Sequence, residues 1–185
     1  MYPSASNSAT DFVSSLGSLT LDHRFKRLMN ELLAQADVLY RELGLPLKPR
    51  WCSMLQLLES RGPLSVGEVA DALKLSHPAV VQILDDMRAS RLVSRRKSQI
   101  DARRRVVALT STGEDWMPVF HRVWRALTHA QDEVFSGSGE WLALVARAEA
   151  ELDRKPVSKR ARARLRNLQP LIERARRSAV SLQKS

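Results

Sequence analysis

Between Leu64 and Gly113 the sequence LSVGEVADALKLSHPAVVQILDDMRASRLVSRRKSQIDARRRVVALTSTG permits few folds. Ser65 precedes an apolar-periodic stretch, Val66 to Leu73, with Glu68 three residues on. At that spacing hydroxyl and carboxylate cap each other's backbone amides, so a short helix begins there. Lys74-Leu75 is a turn, and Ser76 caps a second helix that tolerates Pro78 in its first turn, where an amide hydrogen has no partner to lose. Val69, Ala70 and Leu73 form the inner face of the first helix, and Val80, Ile83, Leu84 and Met87 that of the second. Leu92 to Ser98 and Arg104 to Leu109 then read as two short strands joined by a polar loop, Gln99 to Arg103.

Helical periodicity continues on both sides. Phe25, Leu28, Leu32, Leu39 and Leu43 predict a helix from about Thr20 to Leu43, stopped by Gly44 and Pro46. Trp51, Leu55 and Leu58 share a face of a helix over about Pro49 to Ser60. Thr110 or Ser111 caps a long helix to about Phe135, with Pro118 deep enough to predict a kink. SGSG at 136 to 139 breaks it, and Ser138 starts another helix to Arg154 with Trp141, Val145, Ala148 and Leu152 as its seam. Beyond Pro156, Ala161, Leu165, Leu168, Ile172, Ala175 and Ala179 recur four and three apart, a weak coiled-coil-like seam interrupted by Pro170. The organisation expected is a disordered leader (1–18), a domain of 19–152 and a basic helical extension (153–185). The fold class is mainly α with a two-stranded β-wing.

A chain of 185 residues that is 44% hydrophobic can bury one core with appendages. It has no apolar run long enough for a membrane span and no secretory signal pattern at its start. The single cysteine, Cys52, excludes an internal disulfide and suits a reducing cytoplasm. The formal charge of +10 is concentrated. Arg91 to Arg105 carries +6 and Asp153 to Ser185 carries +9, leaving −5 on the remainder. Two cationic extensions on an acidic body point to a polyanionic partner touched in defined places.

Double-stranded DNA fits that description. A helix entering the major groove must expose short side chains near its start, which Ser76, His77, Ala79, Val81 and Gln82 provide. Gln82 offers adenine a donor and an acceptor together, and Val81 suits a thymine methyl. Arg95, Arg96, Lys97, Arg103, Arg104 and Arg105 on the hairpin suit phosphates and a narrow minor groove, with Arg103 at the tip. Asp101 would repel DNA, so it reads as an internal partner that positions Arg103 or Arg95, or as a loop-start residue bonding its own backbone.

The pattern VGEVADAL…SHPAVVQILDDM…LVSR…D-x-R…V-x-LT-x-x-G, through Asp101, Arg103, Leu109, Thr110 and Gly113, resembles the winged helix–turn–helix of the MarR family of bacterial transcription factors. The likeness covers about Leu19 to Leu152. LKPRW (47–51) with SHPAVVQ (76–82) looks closest to a branch often fused to an N-acetyltransferase. The resemblance implies a homodimer joined by long helices, with one recognition helix per half-site. It also implies repression relieved when a small molecule enters a cleft that His23, Arg27 and Trp51 would line, although Trp51 fits the core better and no ligand is assigned. Arg91 departs from the pattern, standing where a glycine usually ends the recognition helix.

Other chemistries find little support. His23, His77, His121 and His129 lack metal-ligand spacing, so no metal or other cofactor is expected, and no nucleophile elbow marks a hydrolase. Cys52 beside Arg50 is either an oxidation sensor or a small inert residue at a helix start. Two rival readings of the whole chain stand beside the specific regulator, and none of the three is an enzyme. One is an architectural protein coating DNA through its tail. The other is an interaction module serving a separate enzyme through the 161–179 seam.

Overall fold

The computed structural model describes residues 12–97, 104–135, 140–162, 164–165 and 168–182. The chain divides after Leu127 into two compact units. The first opens with one helical turn, α1 (Phe12–Ser15), and a 3-10 turn at Gly17–Thr20, followed by α2 (Leu21–Glu42). Part of the stretch expected to be a disordered leader is therefore helical. The Thr20 hydroxyl donates to the Val13 carbonyl at 2.6 Å and holds the two turns together. After a 3-10 turn at Pro49–Trp51 come α3 (Cys52–Arg61), α4 (Val66–Leu73) and α5 (His77–Ala89), then β1 (Val93–Lys97), β2 (Arg105–Leu109) and α6 (Ser111–Val134). The second unit begins at Thr128, within α6, and holds α7 (Glu140–Arg154), α8 (Val157–Arg162) and α9 (Gln169–Leu182).

The caps form as the spacing predicts. Ser65 Oγ accepts from the Glu68 amide at 3.3 Å, while the Glu68 carboxylate accepts from the Ser65 amide at 2.8 Å. Ser76 Oγ accepts from the Ala79 amide at 3.4 Å, starting α5 with Pro78 in its first turn. Both helices end in the same way. The Leu75 amide returns to the Ala70 carbonyl and the Leu92 amide to the Met87 carbonyl, with Lys74 (φ 52°) and Arg91 (φ 58°) left-handed between them. Arg91 thus adopts the backbone that glycine adopts without a Cβ penalty.

The LT-x-x-G signature explains itself where α6 starts. Thr110 Oγ1 accepts from the Gly113 amide at 3.0 Å and donates to the Arg91 carbonyl at 2.6 Å. The Thr110 amide donates to the Leu92 carbonyl at 3.0 Å. A Cβ on Gly113 would lie 2.2 Å from that same Leu92 oxygen, so only glycine fits. Leu64 adds a bridge to the outer edge of β2, exchanging both backbone bonds with Val107 at 2.7 and 3.0 Å. Covered in this way, β2 buries Val106, Val107 and Ala108 in succession instead of alternating.

The core collects Tyr40, Trp51, Met54, Leu55, Val69, Val80, Leu84, Met87, Leu92, Met117 and Phe120. His121 Nε2, 2.8–3.0 Å from both Glu59 oxygens, joins α6 to α3 at the surface. α6 continues through Pro118, and its Met117 and Phe120 remain buried. The seam expected for α2 is uncovered over its first half: Phe25 is 50% exposed, and only Ala36 and Tyr40 are buried.

In the second unit Phe135 stacks on Trp141 at 4.7 Å. The SGSG segment and Ser138 lie outside the described residues. Arg160 turns the chain after α7, donating to the Glu151 and Lys155 carbonyls at 2.8 Å and to the Glu151 carboxylate at 2.7 Å. The 161–179 pattern is therefore not one seam: α8 ends at Arg162, and Pro170 stands in the first turn of α9. At that position its missing amide hydrogen costs nothing.

Two substitutions test this local account by urea unfolding. Gly113→Ala should lose stability on the order of 2–4 kcal/mol, because a backbone carbonyl must be displaced. Arg91→Gly should gain roughly 0.5–1 kcal/mol through relief of the left-handed penalty; a loss of stability would show that the Arg91 side chain makes a compensating contact.

Candidate nucleic-acid interface

α5 presents its first turns to solvent. His77, Pro78 and Gln82 are exposed, and Ala79 and Val81 are half-buried, while Val80, Leu84 and Met87 hold the opposite face in the core. The stagger is the 3.6-residue period acting on a helix with one apolar stripe. The His77 ring lies across the first turn of α4, where a methyl on Gly67 would meet it at 3.8 Å. His77 is thus placed by α4 and not only by its own helix. Asp86, on the same helix, faces the α2–α3 connection and receives Arg50 together with Lys48 Nζ at 3.6 Å. Lys48 also stands 5.3 Å from the Trp51 ring centre, so one cation spans the core aromatic and the recognition helix. Nothing in the sequence pattern singled out that anchor.

The strand pair sorts its cations into two sets. Arg95 and Arg104 are tied to the helix–turn–helix: Arg95 Nη2 lies 3.7 Å from Asp85 of α5, and Arg104 Nη2 lies 3.0 Å from Glu68 of α4. Arg96, Lys97 and Arg105 are exposed and have no ion-pair partner among the described residues. The register places Lys97 directly opposite Arg105. Like charges paired across two strands repel, and an anion against this end of the hairpin would relieve that repulsion. Asp101 and Arg103 lie outside the described residues. Arg95, one of the two partners expected for Asp101, lies 3.7 Å from Asp85.

Glu68 is a firmly anchored surface carboxylate. The Ser65 hydroxyl, then the Ser65 amide, then Arg104 hold its pKa down to about 2. It therefore keeps its charge throughout the neutral range. Its depressed pKa makes its contribution to stability complete above the ordinary carboxylate range and lost only as the pH falls from about 4.5 towards 2.

The residues expected to line a ligand cleft separate. His23 and Arg27 are exposed on α2, where Arg27 borders an open groove with Leu21, Phe25 and Leu28. Trp51 is 1% exposed and packs in the core, so it lines no open surface. Among the described residues no three His, Cys, Asp or Glu side chains converge as a metal site, and no helix is long and apolar enough to cross a membrane. Burial raises the Cys52 thiol pKa, opposed by a bond from Gln56 at 3.3 Å. Arg50, expected to activate it, is turned to Asp86. Cys52 should accordingly react with iodoacetamide at pH 8 several-fold more slowly than in the urea-unfolded chain; equal rates would contradict a half-buried thiol whose pKa is raised.

Residues 45–104 match the sequence profile of the MarR family. No curated protein sequence matches the chain. Among solved structures, the Staphylococcus aureus MepR–DNA complex superposes with a TM-score of 0.59 at 17% identity, covering 74% of this chain and 99% of that one. CouR, a transcriptional repressor bound to a 23-mer DNA duplex, gives 0.59 at 21% identity over 74% and 96%. The transcriptional regulator BldR from Sulfolobus solfataricus gives 0.56 at 20% over 74% and 94%. At these identities the likeness is one of fold. The Ser65 and Ser76 caps, the two-stranded wing and the Thr110–Gly113 closure make the fold a winged helix–turn–helix, and residues 45–104 within it are similar to the MarR family.

Proposed function

We propose that the protein is a sequence-specific, double-stranded DNA-binding transcriptional regulator acting as a homodimer. The observation that carries this reading is the pairing of an exposed α5 amino-terminal face with a hairpin whose Lys97 and Arg105 oppose each other. A cationic edge strained by its own repulsion is stabilised by phosphate, and the adjoining helix carries side chains that read base edges. His77, Ala79, Val81 and Gln82 face bases, with Ser76 at the backbone. Arg96, Lys97, Arg105 and the tip arginine Arg103 face phosphates or the minor groove. The DNA-bound states of MepR and CouR support the choice of partner.

Dimer formation is supported by what a single chain leaves uncovered. In the first unit Leu19, Phe25 and Met29 are 50–80% exposed, and in the second Leu142, Leu144 and Leu152 are 50–58% exposed. Contiguous apolar faces of this kind are ordinarily covered by a partner surface. Two copies set the recognition helices about one helical turn, roughly 10 base pairs, apart on a near-palindromic site. Repression follows if that site overlaps a promoter. Release by a small molecule would act on the α2 side, through His23 and Arg27 and without direct contact to Trp51. The tail from 153 adds affinity to any duplex through its +9 charge.

Selection of duplexes from a randomised pool, followed by mobility-shift titration against random DNA, tests the reading. The selected site should bind at least about 10³-fold more tightly than random sequence, and Gln82→Ala should relax one base pair per half-site by about 1–3 kcal/mol. Equal binding of all duplexes would favour an architectural protein driven by its tail.

A further inference from the structure

One carboxylate of α4, Glu68, reaches the loop end of the wing and has no role in DNA contact. One oxygen, Glu68 Oε2, accepts from the Ser65 amide at 2.8 Å, from the Ser65 hydroxyl at 2.6 Å and from Arg104 Nη2 at 3.0 Å. The first two bonds belong to the cap of α4 and fix the carboxylate in space. The third reaches across to the residue directly before β2. Arg104 and Glu68 are each about half exposed (53% and 46%), so the pair lends little to global stability. What it does supply is direction. A guanidinium held against an immobile acceptor fixes where the chain enters β2, at the loop end of the hairpin, against α4. The opposite strand has its own tie, Arg95 to Asp85, at a looser 3.7 Å.

We infer that Glu68 is a positioning residue for the wing: through Arg104 it sets the angle at which the cationic hairpin stands beside α5, and thereby the geometry in which the two can engage one duplex together. This rests on the DNA-binding reading and assigns Arg104, expected from the sequence to touch phosphate, to the protein's own frame instead. The two assignments make opposite demands. If Glu68 merely competed with phosphate for Arg104, or merely added a negative charge near DNA, removing its charge would tighten binding. If it holds the wing, removing its charge weakens binding.

Glu68→Gln separates these outcomes, because glutamine retains the capping-box bonds while losing the ion pair. The full-length parent, Glu68→Gln, Arg104→Gln and the double variant are titrated with the duplex of about 30 base pairs that the parent selects. Amide hydrogen exchange over 93–97 and 105–109 is followed in the absence of DNA. Glu68→Gln should unfold thermally like the parent, exchange faster in the wing and bind about three- to tenfold more weakly. In the Arg104→Gln background it should change affinity no further, whereas a purely capping role would persist there. Unchanged or tighter binding by Glu68→Gln, or additive losses in the double variant, overturns the inference. If the parent itself prefers no sequence, the regulatory reading falls, and exchange still judges the fastening: unaltered wing protection in Glu68→Gln refutes it.

Discussion

The structure turns on the carbonyl of Leu92. It lies where the recognition helix has ended and the wing has not yet begun, and it receives the Thr110 amide that opens α6. Gly113 lets the first turn of α6 close over it, and the Thr110 hydroxyl takes the neighbouring Arg91 carbonyl. Three elements are thereby fastened at one point within about a hydrogen bond's length. Every orientation that matters for the exposed surface passes through this junction, because α5 arrives at it, β1 leaves it and β2 returns to it. The left-handed turn at Arg91 is the cost of making that corner with a residue that carries a side chain.

Around the junction, charge is divided by function. Cations on the frame are neutralised: Lys48 and Arg50 by Asp86, Arg95 by Asp85, Arg104 by Glu68. Three others on the strands, Arg96, Lys97 and Arg105, are left facing solvent. Counting arginines therefore overstates the number available to phosphate, and the salt dependence of binding should follow the smaller set. The recognition helix is braced on two sides, by the α2–α3 connection through Asp86 and by α4 through the His77 ring over Gly67. A helix braced in this way presents its side chains at a fixed depth, as direct readout of base edges requires.

Much of this was legible in the sequence because it is local. Ser65 with Glu68, Ser76 with Pro78, and LT-x-x-G each encode a hydrogen-bonding pattern within four residues, and each forms. Apolar periodicity located α2 to α6 to within a few residues but missed the single turn of α1. It also marked the α2 face around Phe25 as apolar, but periodicity cannot say what covers such a face, and a single chain leaves it open. The ion pairs were not legible, since Glu68 and Arg104 are 36 positions apart and meet only through the return of β2. For the same reason Arg104 read as a DNA contact. The seam after Pro156 failed for another cause: the pattern was continuous, but α8 ends at Arg162 and α9 starts only at Gln169, with Pro170 in its first turn. Trp51, placed by analogy at a cleft, is claimed by the core.

Chemical-shift mapping of backbone amides during titration with a selected duplex addresses the central claim most directly. The account predicts the largest changes in 76–82, with a second group at 95–97 and 104–105, and little change in the buried stripe of α5. Perturbation confined to 153–182, with α5 and the strands silent, would contradict it.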